Sequence, residues 1–327
     1  MAVDVTVVVP VYNTGAYIAE CVESLVGQSV GAPEIILVDD GSSDDSGAVC
    51  DRLAEKYPTL RVIHKQNGGA AMARYDGTQA VRTKYVAYID SDDIAEKDFI
   101  EKLYAAAQAN AADCVCCGYR KYFEKENRID EPQYVASENI SLNAAGTFET
   151  MFYDKKCFAS VCCKLFLTDR IRRIEPMRIK LGEDSYVCIR YFLESDKIVH
   201  LNYAGLRYRQ RADSAMHTAD GVARYDYVRL YDALKKDFYE KCPAALPAFK
   251  NKFIEDNFVT LLELTGSSET EKAMRAHILA NIKEYRRDVL RDPRAEKRTR
   301  AACALSFAGA GAVAGIYRLR AALNGVR

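Results

Sequence analysis

The sequence predicts an α/β fold: a largely parallel sheet in a three-layer α/β/α arrangement, followed by a C-terminal helical extension. Three observations carry this expectation. Over roughly the first 120 residues, short apolar runs rich in β-branched residues alternate with segments of helical period. The apolar runs lead into loops of Asp, Asn, Gly and Ser, as strands feeding the ligand-binding edge of an open sheet do. From about residue 225 to 292 the helical period continues without strands.

In chain order, Val5-Thr6-Val7-Val8-Val9 is a strand closed by Pro10. Residues 17–28 carry Ile18, Cys21, Val22, Leu25 and Val26 on one helical face, and 34–38 is a second strand. Residues 46–56 read as a helix capped from within Ser42-Ser43-Asp44-Asp45. A short strand at 61–64, a helix at 69–81 and a strand at 85–89 follow. A further helix at 98–110 precedes a strand at 114–119. The crossovers of such a β-α-β series are right-handed. Residues 122–146 are a polar, aperiodic excursion, and the pattern stays mixed to about 210. Within the helical region, residues 240–247 form a break. The expected organisation is therefore a catalytic domain over 1–218, a helical region over 219–294 and a basic tail over 295–327.

The bulk numbers fit a globular protein: 327 residues, 49% apolar and 28% charged, with zero formal net charge. That average says nothing about partners, among which no nucleic acid is expected, and it hides a polarity. Residues 285–327 hold ten Lys/Arg against three acids, a net +7 that leaves the remainder at −7. The opening Met1-Ala2-Val3-Asp4 runs straight into a strand, so a cytoplasmic location is expected. Eleven cysteines sit mostly in apolar runs and read as reduced, buried thiols. Cys114 and Cys117 form a C-x-x-C, and Cys162-Cys163 follow. However, the first pair lies in an extended run and the second is adjacent, which is poor spacing for tetrahedral zinc.

The chemistry collects where the strands end. Strand one delivers Pro10, Val11, Tyr12 and Asn13. Strand two delivers Asp39-Asp40-Gly41-Ser42-Ser43-Asp44. Strand three leads to Asn67-Gly68-Gly69, with Arg74 one turn into the next helix. Strand four ends in Asp90-Ser91-Asp92-Asp93. Clustered carboxylates repel one another unless a cation or hydrogen-bond donors hold them, and a hard divalent ion is the natural client. Each loop alone is ordinary turn chemistry. Four converging at one sheet edge point to a nucleotide: apolar walls for a base, a carboxylate for a base N–H, and Arg74 for a diphosphate. No G-x-G-x-x-G follows strand one and no P-loop motif occurs, which disfavours dinucleotide-binding and P-loop readings.

Over residues 4–218 the chain resembles the family-2 glycosyltransferases of GT-A fold. The resemblance rests on Val7 to Asn13, Ile36 to Ser42, Asn67-Gly68-Gly69 with Ala73-Arg74, and Asp90-Ser91-Asp92-Asp93. It continues in Lys164-Leu165, Gly182-Glu183-Asp184, Tyr208-Arg209-Gln210-Arg211 and Ser214. Cys162-Cys163 stand where related sequences often carry an aromatic residue before Lys-Leu.

The resemblance implies roles. Asp39 would bind uracil beside Pro10, Val11 and Tyr12, with Asn67, Gly68 and Ser91 lining the donor site. Arg74 would contact the base or diphosphate; Arg209 and Arg211 would lie near the diphosphate, with solvated strand-edge charges as the equal alternative. Asp90-Ser91-Asp92 is similar to the D-x-D element, with Asp92 coordinating Mg²⁺ or Mn²⁺ and Asp90 holding ribose or the metal's water shell. Asp184 matches the general base; Glu183-Asp184 also suits a helix start. His217 reads as a surface histidine, with metal or phosphate contact as the sharper alternative. The implied activity is an inverting, metal-dependent transfer from a nucleotide sugar, UDP-linked, to a glycan or lipid-linked glycan acceptor. One base and one metal then suffice, without a second nucleophilic carboxylate. Two alternatives stay open: a sugar-phosphate nucleotidyltransferase, and a non-catalytic nucleotide-sugar-binding protein.

In the tail, residues 301–317 are uncharged and flanked by Lys297, Arg298 and Arg300 before and Arg318 and Arg320 after. As a helix they would reach roughly 26 Å, short of the ~30 Å hydrocarbon core. They are mostly Ala and Gly. A helix lying on or dipping into the anionic inner face of the cell membrane is therefore expected, with an ordinary packing helix or subunit contact as the alternative.

Overall fold

The structure, a computed structural model, describes residues 3–211 and 221–309. The chain divides into two compact units. One comprises Met1–Thr147, Lys155–Arg178 and Glu183–Ala212, and the other Phe148–Asp154, Ile179–Gly182 and Asp213–Arg327. The boundary expected after residue 218 lies outside the described residues, as do His217 and Ser214. Residues 148–154 and 179–182, expected within the first domain, group with the second unit.

The first unit is built on one mixed sheet. Its strands are β1 (Val5–Val11), β2 (Glu34–Asp39), β3 (Leu60–His64), β4 (Tyr85–Tyr88) and β5 (Ile94–Ala95), followed by β6 (Cys114–Phe123), β7 (Arg128–Ile129), β8 (Ile140–Leu142), β9 (Lys164–Leu167) and β10 (Ile198–Arg209). The sheet order is β3-β2-β1-β4-β9-β6-β10-β5, with β7 on β6 and β8 on β10. Strands β3, β2, β1 and β4 are parallel, as the alternating pattern requires. The sheet departs from that expectation at β9, which runs antiparallel to both β4 and β6. Val5, Val7, Val8, Val9, Ile35, Ile36 and Leu37 are fully buried. A strand covered on both faces reads as a continuous apolar run, and this one does.

Helices α1 (Ile18–Val26), α2 (Ser46–Lys56), α3 (Ala70–Ala80) and α4 (Phe99–Asn110) are the crossovers, within two residues of expectation at each end. Helix α1 buries Ile18, Cys21, Val22 and Leu25 at the predicted period, each worth about 1.5–3 kcal/mol for a full-sized aliphatic side chain. Helix α3 lies unusually close to the sheet. A Cβ on Gly77 would meet Val8 Cγ1 at 2.5 Å and Val38 Cγ2 at 2.9 Å, so only glycine permits the approach. Helices α5 (Ala144–Phe152), α6 (Thr168–Ile171) and α7 (Glu183–Phe192) follow. The supposedly aperiodic stretch 122–146 contains the end of β6, β7, β8 and the start of α5.

In the second unit, α8 (Gly221–Lys241), α9 (Leu246–Glu263) and α10 (Glu269–Arg291) enclose an aromatic core. Phe238 stacks near Phe249 at 4.4 Å between centroids and near Phe148 at 4.7 Å, with Phe253 and Tyr285 continuing the chain of rings. The expected break at 240–247 is present; a second one, between α9 and α10, is not signalled by the apolar period.

The described part of the tail corrects the single long helix. Helix α11 (Lys297–Leu305) gives way to a 3-10 turn at Ser306–Ala308, and Gly309 takes φ +104°. Ala302 and Cys303 are buried, Arg298 pairs with Glu255 at 2.9 Å, and Arg300 donates to the Leu290 carbonyl. This is a packing helix. No described helix is long and apolar enough to cross a membrane; residues 310–327 lie outside the described residues.

Candidate active site

The parallel strands β1 to β4 bring four loops to one edge of the sheet, and hydrogen bonds tie those loops to one another. Val11 pairs in register with Asp39, and Asp39 with His64. Asn13 adopts φ 52°, and its Oδ1 accepts from the Ser43 backbone N–H at 2.8 Å. Thr14 accepts or donates to Ser91 across 2.8 Å, and its N–H donates to Ser46 Oγ at 2.9 Å. Asp40 fastens the third loop: its carboxylate accepts from Lys65 Nζ (2.8 Å), Gly68 N (2.9 Å) and Gly69 N (2.7 Å). Gly69, at φ +86°, makes that turn possible before α3 begins.

Asp39 is nearly buried. Its Oδ1 accepts from Ser42 N at 3.0 Å and its Oδ2 meets His64 Nδ1 at 2.9 Å. Burial, which would raise its pKa, is outweighed by the Ser42 and His64 hydrogen bonds, which hold the carboxyl below its ordinary range. Each oxygen retains a lone pair for another donor. His64 in turn is raised above the usual histidine value by Asp39 and then by Asp51, which its Nε2 meets at 3.0 Å. Pro10 and Val11 are buried under this edge, and Tyr12 stands 51% exposed beside it. Asn67 is exposed, while the Gly68 N–H is committed to Asp40.

The acidic cluster separates into distinct roles. Asp90 accepts from Arg74 Nη2 at 2.5 Å. Ser91 is buried against Thr14 and acts as an internal tie, although it was expected to line the donor site. Asp92 Oδ2 accepts from Arg211 Nη1 at 3.1 Å. Its carboxyl is pushed up by burial and by the charge of Asp90, with Arg211 pulling the other way. Asp93 is buried, accepts from the Arg209 backbone N–H at 3.0 Å, and is raised well above the carboxylate range by burial and then by Asp90 and Asp92. Burial first and neighbouring carboxylate charge second thus raise both Asp92 and Asp93, with Arg211 and Arg209 opposing.

Two basic residues differ from one another. Arg211 rests 4.8 Å over the Tyr17 ring beside Asp92. Arg209, expected to face a diphosphate, is instead a buried brace. Its Nε donates to the Asp92 carbonyl at 2.8 Å, and its guanidinium pairs with Glu20 and with Glu124 at 2.7 Å. Glu20 lies 189 residues away in sequence, so no local pattern reveals the pairing.

Glu183 and Asp184 open α7, as acids suit a helix N-terminus. Arg74 joins them to the acidic cluster: Nη1 lies 3.7 Å from Glu183 Oε1 while Nη2 holds Asp90. Asp184 Oδ1 accepts from the Ser185 N–H at 2.7 Å. Burial, then the neighbouring Asp184 charge, raises the Glu183 carboxyl to about 7, with Arg74 opposing. Asp184 and Arg74 also line one cavity of about 30 Å³, with Tyr75, Tyr88, Val161 and Val187 among its walls. Glu183 and His64 are the functional candidates that motif reading passed over. The only sequence signal for His64 is its place at a strand end next to the one carrying Asp39.

Comparison with known proteins follows the same lines. The family model described as Glycosyl transferase family 2 matches residues 6–171. The glycosyltransferase GlyG of Streptococcus pneumoniae serotype 4 is 30% identical over 291 residues, which is 86% of this chain and 92% of that protein. EpsJ of Bacillus subtilis (strain 168), described as an uncharacterized glycosyltransferase, is 30% identical over 72% of this chain and 69% of its own. Among solved structures, S. aureus TarS 1-349 in complex with UDP-GlcNAc matches with a TM-score of 0.76 at 19% identity. The match covers 98% of this chain and 92% of that one, a likeness of fold.

Proposed function

Because this chain belongs to glycosyl transferase family 2 and has the GT-A fold, we propose that it is an inverting, metal-dependent glycosyltransferase. It takes a sugar from a UDP-linked donor to a hydroxyl of a glycan or lipid-linked glycan. The observation that carries this reading is the bridge made by Arg74 between Asp90 and Glu183, which brings the D-x-D turn and the start of α7 to one guanidinium. Donor chemistry and acceptor chemistry need that proximity.

The donor half of the site suits a uridine diphosphate. Asp39 retains acceptor capacity for the base N–H, with exposed Tyr12 beside it. The complex of TarS with UDP-GlcNAc supports this choice of nucleotide. Asp92, with Asp90, would hold Mg²⁺ or Mn²⁺, and Arg211 beside Asp92 faces the same charge. Hard carboxylate oxygens are the donor set such ions prefer. When bound, the ion supplies charge neutralisation of the leaving diphosphate. The chain's own residues do the rest. Arg74 orients both halves, and Asp184 receives the proton of the acceptor hydroxyl, so that a single displacement inverts the anomeric centre.

We further propose peripheral membrane contact through the basic tail beyond Arg298 and Arg300, which are themselves committed within the protein. Removing residues 310–327 is expected to shift the protein from the membrane to the soluble fraction, and an unchanged distribution rejects that contact.

The test is a pair of substitutions read by two assays. Asp92→Asn is expected to abolish metal-supported UDP binding together with transfer. Asp184→Asn is expected to keep UDP affinity within twofold while transfer falls by about 10²–10⁴, the usual share of a general base. Equal loss of UDP binding in both variants removes Asp184 from the role of base.

A further inference from the structure

Away from the acidic cluster, the sheet carries a knot of soft ligands. Strand alternation sends Cys116 and Cys117 to opposite faces. Cys117 joins the main apolar core, together with Cys163. Cys116 faces the other way, in register with Lys164 on β9 and with His200 on β10, so the three side chains lie abreast on neighbouring strands. Cys157, from the segment before β9, completes the group. The ligand atoms of Cys116, Cys157 and His200 all lie within 4.8 Å of one another, and all three residues are buried. Cys114, two residues along the same face of β6, places its Sγ 3.9 Å from that of Cys116.

Two further features point to a cation there. His200 Nε2 is hydrogen-bonded to the Thr147 hydroxyl at 3.0 Å. An imidazole whose distal nitrogen is held in this way presents its other nitrogen as a ligand, the arrangement found behind most metal-bound histidines. Lys164 is fully buried. Its ammonium donates to the Phe158 carbonyl at 2.9 Å and lies 4.3 Å over the Phe158 ring. No carboxylate pairs with it among the described residues; the ionisable groups that it senses are the thiols of Cys188, Cys157, Cys116 and Cys163. A buried ammonium without an anion is costly, and thiolates would supply that anion.

We propose that Cys116, Cys157, His200 and Cys114 form a structural zinc site, distinct from the oxygen-lined donor site. On binding, three thiols release three protons to solvent. Three thiolates and one Zn²⁺ then carry a net charge of −1, which the Lys164 ammonium balances. In a tetrahedral site with Zn–S near 2.3 Å, sulfur atoms stand about 3.8 Å apart, close to the Cys114–Cys116 spacing already present. Soft sulfur selects zinc over the Mg²⁺ or Mn²⁺ suited to Asp92. The sequence argument against zinc concerned Cys114, Cys117, Cys162 and Cys163. The strand pairing selects a different set, including a histidine with no motif around it.

The experiment uses the full chain, purified under reducing conditions without a metal-affinity step. Elemental analysis is expected to find about one zinc per chain. Anaerobic exchange with Co²⁺ is expected to give thiolate-to-cobalt charge-transfer bands and the visible bands of a tetrahedral centre. Cys157→Ser and His200→Gln are expected to lower metal retention by about 10–100-fold, and the far-UV circular dichroism and thermal transition of each variant report whether it has folded. Wild-type protein that takes up no zinc and shows no cobalt–thiolate bands overturns the proposal, whatever the variants do. So does a cobalt spectrum that persists unchanged in folded Cys157→Ser. Neither outcome depends on the glycosyl-transfer assay, so failure of this site and failure of the transferase reading are separable.

Discussion

Arg74 is the residue on which the catalytic account turns. Motif reading placed it at the nucleotide. The structure gives it two carboxylate partners, Asp90 and Glu183, whose relation the sequence does not disclose because 93 residues separate them. Asp39, Asp92, Arg211 and Asp184 could be singled out as candidates because each sits near a strand end or helix start in a recognisable local motif. The partners that the structure gives Arg209 and Ser91, namely Glu20, Glu124 and Thr14, come from distant parts of the sequence, so no local pattern reveals them. The Glu183 carboxyl, raised to about 7 by burial and then by Asp184, leads to a pH prediction. Below that value the Glu183 carboxyl is protonated and its charge pairing with Arg74 is lost; above it the pairing is present. The transfer rate is therefore expected to rise with pH through about 7. In Glu183→Gln the inflection should disappear, because the titrating carboxyl is gone. An inflection that stays in place assigns it to another group.

At the scale of elements, the parallel half of the sheet was readable because β1, β2 and β4 are continuous apolar runs, and because α1 and α2 carry clean apolar faces. Strand β9 was not, since four residues reveal no direction, and antiparallel pairing to both neighbours is set by the chain path. Helix α3 positions Arg74, and its close seat on β1 and β2 depends on Gly77. Gly77→Ala is expected to destabilise by about 1–3 kcal/mol through overpacking against Val8 and Val38, read as a lower Tm, and to weaken UDP binding as Arg74 moves. An unchanged Tm means that α3 shifts freely. The Asp39–His64 contact gives the β2–β3 edge its own pH dependence. Asp39, held low, contributes stability above its unfolded value near 3.9 and loses it as pH falls. His64, held high, contributes below its unfolded value near 6.5 and loses that as pH rises through its folded value. His64→Gln is expected to flatten the decline in Tm on the alkaline side. A decline as steep as that of the parent places its origin elsewhere.

For the whole molecule, the glycosyltransferase class was legible from the ordered series of motifs, while the helical unit after residue 221 offered only periodicity. Its aromatic core draws on Phe148, far back in the sequence, which no local pattern assigns to it. The sugar and the acceptor were not legible. Binding selectivity depends on how side chains from separated segments meet, and the cavity beside Arg74 and Asp184 draws its walls from α3, β4, α7 and the segments flanking β9. The central claim, a UDP-sugar site that uses a divalent ion at Asp92, is tested most directly by thermal stability of the full chain. UDP and a panel of UDP-sugars are added with and without Mn²⁺. Ligand at about 100 times Kd stabilises the folded state by about 2.7 kcal/mol. The account predicts a rise in Tm with UDP that grows with Mn²⁺, is largest for one UDP-sugar, and disappears in Asp92→Asn. A UDP-induced rise that is indifferent to Mn²⁺ and survives Asp92→Asn, or no rise with any UDP-sugar, contradicts it.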